Sequence, residues 1–289
     1  MNVLHSLNEI IERSGDGGSL DVHVCGADVS VCAPGFVVDI LERVLAGVPR
    51  ARGASDGRHT VRVDISSGTW QIAGATGNRT VLSTHCEVPR LVGAIVSTIV
   101  QDVAARSALL TLRGTIIEKD GRGLAIVGDD WESGLTVATH LHARGWHYVS
   151  GDHALIDRAT FRAVGFEKSL YATASAAWSF PLPYRRAVEA SPWYVSSNEI
   201  AFYAVDPLLV DKQAWSHEAV LDAFLVVDGA TDERAALQTV PGMHVTNGPG
   251  RVTVDFSPLE GARMTLGPII ETCDLVERWF DAVPGRVRA

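Results

Sequence analysis

The chain has 289 residues, 46% hydrophobic and 20% charged, enough to bury a sizeable core in one large domain or two small ones. A formal net charge of -9 without a Lys/Arg stripe argues against a nucleic-acid partner, because phosphate contacts need clustered cations. Cys25, Cys32, Cys86 and Cys273 form no CxxC pair, no basic-then-apolar leader opens the chain and no apolar run approaches a membrane span, so a reduced, soluble, cytoplasmic protein is expected.

Residues 2–13 place Leu4, Leu7, Ile10 and Ile11 on one helical face, and the Gly-rich run 14–18 ends that helix. Leu20, Val22 and Val24 alternate with polar residues, as do Val29 and Val31 beyond the turn Gly26-Ala27-Asp28, which is the pattern of a β-hairpin. After Pro34-Gly35, a helix is predicted with Phe36, Val37, Ile40, Leu41, Val44 and Leu45 inward. A polar loop over 49–57 leads to strand runs at 60–65, 69–73 and 80–83, then to a helix over 88–105 carrying Leu91, Ile95, Ile99 and Val103. This is an α+β portion, and a boundary near Ala105-Arg106-Ser107 divides the chain into expected domains 1–106 and 107–289.

The run 112–157 organises the rest. Two β-type runs, 115–118 and 123–127, flank the turn Lys119-Asp120-Gly121-Arg122. The second enters a Gly-Asp-Asp-Trp-Glu-Ser-Gly loop that opens a helix with Leu135, Ala138, Leu141 and His142 at helical spacing. Arg144-Gly145 stops that helix, and a third run, 146–149, ends in Ser150-Gly151-Asp152. Strand, loop, helix, strand is the architecture of a phosphate-binding βαβ unit.

These residues resemble the core of the HPr kinase/phosphorylase family and of shorter HPr-kinase-related proteins linked to peptide and natural-product biosynthesis. Such proteins read Leu-His-Gly or Leu-His-Ala, a hairpin, Gly-Asp-Ser-Gly-x-Gly-Lys-Ser, a helix, Arg-Gly, a strand and paired aspartates. Here the hairpin, Gly128-Asp129, Arg144-Gly145 and Asp152 fall in step without a gap. The resemblance implies an α/β fold in which the N-terminal α+β portion precedes a P-loop sheet of the HPr-kinase/PEP-carboxykinase type with flanking helices. It also implies ATP with Mg²⁺ as cofactor in an active member, and the possibility of a homo-oligomer.

The chemical residues depart from that pattern. A working loop wraps phosphates with glycine N–H groups, neutralises them with a lysine and holds Mg²⁺ with a hydroxyl. Gly134 stands where the lysine belongs and Leu135 where the hydroxyl belongs; a slip of one residue recovers a hydroxyl in Thr136 but no lysine. Trp131 and Ser133 replace loop glycines, and Asp129, Asp130 and Glu132 sit where phosphates would sit. At an effective dielectric near 20, one carboxylate about 4 Å from a phosphate charge costs roughly 4 kcal/mol. Either these acids cap the helix and fill its anion site from within, or they form a solvated loop, or they hold a cation or an amine substrate.

Of the paired aspartates, the first is Gly151 and the second is Asp152, a candidate catalytic base at a strand's C-terminal end or else a turn residue before His153. Arg113 replaces the histidine of the family's leucine-histidine pair, which brings a cation to the crevice. Gly128, Asp129, Asp130, Gly134, Thr136 and Arg113 are thus the candidate cofactor-binding residues and Asp152 the candidate catalytic one. His140, His142, His147 and His153 crowd this unit, but His140 and His142 lie two apart on a helix and cannot share a metal, so no metal site is assigned.

Strands are expected at 161–166, 169–173, 200–205 and 221–227, with a packed Pro/aromatic loop over 178–184. The run 232–240 reads as a helix, 242–250 as a loop, 252–256 as a last strand, and Pro268 begins a C-terminal helix. The favoured reading is a catalytically silenced HPr-kinase-like protein that binds a protein, a peptide or a small molecule, with no nucleic-acid and no membrane partner. The alternative is an ATP-dependent kinase acting on a peptide or small-molecule hydroxyl, with Arg113 or Arg122 replacing the missing lysine.

Overall fold

The computed structural model describes residues 17–51, 59–86, 88–107, 109–128, 131–195, 201–230, 234–240, 244–247, 252–255 and 259–285. The expected helix over 2–13, Asp129 and Asp130 lie outside them. The chain is a mixed α/β protein and divides into two compact units. The first comprises Met1–Ala108, Glu167–Ala177 and Ala187–Asp206; the second comprises Leu109–Phe166, Trp178–Arg186 and Pro207–Ala289.

The first unit opens with β1 (Gly17–Val24) and β2 (Ala27–Pro34), an antiparallel hairpin whose turn holds Cys25 and Gly26 at positive φ. Helix α1 (Gly35–Val44) follows, then β3 (His59–Ser66), β4 (Thr69–Ala73), β5 (Arg79–Ser83) and α2 (Val88–Ser107). The strands form one sheet in the order β1-β2-β3-β4-β5, with β2 and β3 parallel and the other pairs antiparallel. Alternation decides its buried face: Val22, Val29, Val31, Val61, Trp70 and Ile72 are fully buried. Helix α1 packs on β1 and β2, and α2 on β3, β4 and β5.

Helix α2 is the one described helix long and apolar enough to cross a membrane, but 61% of its apolar window is buried inside the protein. Leu91, Ile95, Ile99 and Val103 supply that buried stripe, each worth about 1.5–3 kcal/mol relative to exposure. On the same stripe lies the buried carboxylate of Asp102. It accepts the N–H of Ala75 at 2.5 Å, the N–H of Thr76 at 3.2 Å and the Thr76 hydroxyl, and so ties the β4–β5 turn to the helix.

In the second unit, β6 (Leu110–Arg113), β7 (Thr115–Lys119) and β8 (Arg122–Val127) precede α3 (Trp131–His142), β9 (His147–Ser150), β10 (His153–Ile156) and β11 (Arg162–Val164). The chain then supplies β12 (Leu170–Thr173), α4 (Ala174–Ser179), α5 (Leu182–Ala190), β13 (Trp193–Val195) and β14 (Ala201–Val205). These three strands form a small sheet of the first unit in the order β12-β14-β13. The returning segment is anchored there by the Ser169 N–H on the Val44 carbonyl at 2.9 Å.

The second unit is completed by β15 (Glu218–Ala230), β16 (Ala236–Val240), β17 (His244–Asn247), β18 (Val252–Asp255), β19 (Glu260–Leu266) and α6 (Ile269–Ala282). Strand β15 is the hub of its nine-stranded sheet: it pairs in parallel with β8 and β19 and antiparallel with β11. The β7–β8 turn is tight because Asp120 and Gly121 both take positive φ, 54° and 76°, as a two-residue hairpin requires. Strand β9 returns on the far side of β7, so β8-α3-β9 is a βαβ crossover with one strand between.

Helix α3 ends as its sequence dictates, with Gly145 at φ 94° and its N–H on the His142 carbonyl at 2.9 Å. Arg144 does more than complement that end. Its guanidinium binds Asp274 at 2.7 Å and Glu277 at 2.8 Å, and Glu277 also accepts the indole N–H of Trp146, which locks α6 to the crossover.

Several expectations are corrected. Of the run 232–240, the described residues form β16 rather than a helix, paired antiparallel with β19, because the ladder outweighs local propensity. The loop expected over 242–250 contains β17, and β19 rather than 252–256 is the last strand. The run 178–184 packs, with Phe180 and Tyr184 buried, but it is largely helical rather than a loop: Pro181 separates α4 from α5. Strands β6, β10 and β13 were not foreseen, being three or four residues long and defined by distant partners.

Candidate functional site

Strand β8 is buried from Gly123 to Val127 and delivers the chain to Gly128. A Cβ on Gly128 would lie 2.5 Å from the Val227 carbonyl of β15, so only glycine passes this point. Helix α3 starts at Trp131 with Glu132 in its first turn, where a carboxylate is favoured by the helix dipole. Trp131 is exposed, whereas Gly134 and Leu135 face the interior. A Cβ at Gly134 would meet Ile126 Cγ2 at 3.3 Å, so a longer side chain here would press on the strand beneath. The Thr136 hydroxyl donates to the Glu132 carbonyl at 2.9 Å and is thus spent inside the helix.

Two more segments reach the same end of the sheet. Gly114 is pressed against β8, since a Cβ would stand 2.7 Å from the Ile126 carbonyl, and its N–H donates to the Asp152 carbonyl at 2.9 Å. The Thr115 hydroxyl donates to the Gly151 carbonyl at 2.7 Å. Arg113 stands opposite His153 in the β6–β10 register and is exposed. Asp152 lies 3.0 Å from the His153 ring nitrogen Nδ1. The structure therefore brings Gly128, Gly134, Arg113 and Asp152 to the C-terminal ends of β8 and β9, where open α/β sheets place ligands. Asp228, at the end of β15 next to Val227, also belongs here and is paired with Arg263 at 3.4 Å. It escaped sequence reasoning because only the β8–β15 pairing brings it near.

Arg122 does not. It begins β8, five residues before Val127 and thus about 17 Å from the loop, and its guanidinium is committed to Asp222 and to the end of α6. It cannot replace the missing lysine.

The histidines have protein partners. His140 Nε2 is 2.8 Å from the Ser179 carbonyl and His147 Nδ1 is 2.7 Å from that of Gln213. His142 is buried, stacks on Tyr148 at 5.2 Å and hydrogen-bonds through Nδ1 to the Tyr184 hydroxyl at 2.9 Å. Among the described residues no group of three His, Cys, Asp or Glu side chains gathers around a metal-sized space.

Burial drives the His142 pKa down from 6.5 to about 4, and burial moves His140 in the same direction. A histidine whose folded pKa is depressed stabilises the fold above its unfolded value and withdraws that contribution as the pH falls. Stability is therefore expected to drop between about pH 6.5 and about pH 4. Urea unfolding across that range tests this: a His142→Gln variant should show a shallower pH dependence, and an unchanged slope would refute it.

No protein-family model matches this chain, and no curated protein does so either. Among solved structures it is similar to the HPr(Ser) kinase/phosphatase from Coxiella burnetii, with 14% identity over 60% of this chain and 92% of that one and a TM-score of 0.30. The chain's own loop and strand ends must therefore carry the functional reading.

Proposed function

We propose that this chain is a catalytically silent protein of the HPr-kinase type, which keeps the strand–loop–helix scaffold and acts by binding a protein, peptide or small-molecule partner, in peptide or natural-product biosynthesis. The observation that carries this reading is the first two turns of α3. The loop and turn over 128–136 contain no Lys or Arg, the lysine position is a buried glycine against Ile126, and the one nearby threonine hydroxyl is bonded within the helix. Phosphate charge there would meet Glu132 with no cation supplied by the loop.

The rival reading, an ATP-dependent transferase acting on a hydroxyl, draws on Arg113 and Asp152. Both reach the strand ends, so a cation and a base are at hand.

Thermal-shift and calorimetric titration with MgATP, MgGTP and pyrophosphate separates the two. The expected result is no shift for the natural protein. A Glu132→Gly, Gly134→Lys, Leu135→Thr variant should gain a shift if Ile126 gives way to the new side chain. Micromolar MgATP binding by the natural protein would overturn the silent reading and make Arg113→Ala and Asp152→Asn the next variants.

A further inference from the structure

We propose that Arg113 and His153 form a recognition site for a carboxylate with a neighbouring N–H donor, the chemistry of a peptide C-terminus, with Asp152 as the residue that positions the His153 ring. The site lies in the crevice already proposed to bind a partner, and rests on that reading. Other polar side chains at these strand ends are committed: the Thr115 hydroxyl to the Gly151 carbonyl, the Ser150 hydroxyl to the His153 carbonyl, the Thr136 hydroxyl to its own helix and Asp228 to Arg263. Among the described residues, Arg113 has no carboxylate partner and the His153 ring nitrogen Nε2 has no hydrogen-bond partner.

These two side chains stand side by side. Arg113 faces His153 in the β6–β10 ladder, and the Gly114 N–H on the Asp152 carbonyl marks the non-hydrogen-bonded kind of pair, in which Cα atoms are about 4.5 Å apart and side chains are closest. Asp152 Oδ1 lies 3.0 Å from His153 Nδ1, and both atoms are closed to solvent. A carboxylate on that side sets the proton on Nδ1, which leaves Nε2 as an acceptor on the part of the ring that stays open, 12% of the side chain. The turn that carries the pair is pinned at Ser150, Gly151 and Asp152 by the hydrogen bonds above, so a fixed backbone presents the ring.

An unpaired guanidinium beside an imidazole acceptor selects a ligand that brings one negative charge and one donor. Arginine takes a carboxylate through two parallel N–H···O bonds, and Nε2 takes an N–H. The last residue of a peptide offers both groups within its own length. A phosphate monoester carries a charge of about −1.5 to −2 and offers no N–H. Here it would meet the carboxylates of Asp152 and Glu132 with Arg113 as its counter-charge, so the balance of charge favours the carboxylate ligand.

Nitrogen-15 NMR of the histidine rings in the full chain tests this, with the His153 signals assigned through His153→Gln. N-acetylglycylglycine is expected to move them in a saturable way. Its C-terminal amide, which lacks the carboxylate, and propionate, which lacks the donor, should each bind at least about tenfold more weakly. Arg113→Ala should weaken N-acetylglycylglycine by at least about the same factor with the far-UV circular dichroism unchanged. Asp152→Ala should move the ring toward its Nε2–H form, a change that a merely structural role for Asp152 would not produce. A natural chain whose His153 is protonated on Nε2, ignores N-acetylglycylglycine or responds as strongly in Arg113→Ala overturns the proposal, as does tighter binding of inorganic phosphate. MgATP titration of the same samples keeps the two readings apart: nucleotide binding removes the silent reading, whereas silence toward both nucleotide and peptide removes this site alone.

Discussion

Arg122→Ala is expected to destabilise the second unit by about 3 kcal/mol, the loss typical of breaking a buried ion pair from one side. Its Nε donates to Asp222 at 2.7 Å, and Asp222 has a side chain only 4% exposed. Its Nη2 donates to the carbonyls of Val283 at 2.6 Å and Phe280 at 3.3 Å, capping the end of α6, and the guanidinium lies 4.5 Å from the centre of the Phe280 ring. Removing the side chain leaves a buried carboxylate without this cation and the final carbonyls of α6 without this donor. Arg122→Lys keeps the charge but not the fork, and should recover roughly half of the loss. A double variant, Arg122→Met with Asp222→Leu, should recover most of it, because replacing both partners by apolar groups removes the uncompensated charge. Urea unfolding followed by tryptophan fluorescence measures all three, Trp146 lying 4.9 Å from Phe280. An Arg122→Ala midpoint equal to that of the natural chain would refute the assignment.

The second large effect falls in the first unit. Asp102→Ala should destabilise it by about 3 kcal/mol, since three donors held by one buried carboxylate lose their acceptor together. Asp102→Asn discriminates this cause from mere packing. One oxygen takes the Ala75 N–H and the other takes both Thr76 donors, so either orientation of an amide turns an N–H₂ group toward an N–H. The asparagine variant should therefore also be less stable, by about 2 kcal/mol, despite its matching shape. Asparagine stability equal to the natural protein, measured by the same unfolding, would show that the carboxylate is not needed. Gly74 belongs to the same device, for a Cβ there would sit 2.5 Å from the Asp102 carboxylate.

What could be read from the sequence is what short-range periodicity encodes. The β1–β2 hairpin, α1, α2 and the β7-β8-α3-β9 run each carry their own pattern of apolar spacing and turn residues, and each forms where that pattern lies. Strands β16 and β19 do not: 236–240 is short and mixed in polarity, and only the partner strand makes it β. Arg122 lies at the opposite end of β8 from the loop, because nearness in a hairpin sequence does not say which end of the sheet a residue occupies. Arg113 and Asp152 were placed together through the family resemblance, and the Gly114-to-Asp152 hydrogen bond is the contact that holds their segments there. Asp102 carries a legible trace in the sequence. It follows Ile95 by seven residues and Ile99 by three, on the inward stripe of α2, where an acid calls for several donors.

The path of the chain between the units governs its birth on the ribosome. The first unit contains Ala187–Asp206, so 98 residues must be synthesised after Ala108 before its three-stranded sheet can close. At about 5–20 residues per second that wait lasts roughly 5–20 s, longer than many single domains need to fold. Leu109–Phe166, a large part of the second unit, emerges in the interval. The first unit therefore cannot be completed before a large part of the second has been synthesised. The tempo of translation between 109 and 206 thus sets when the first unit can be completed.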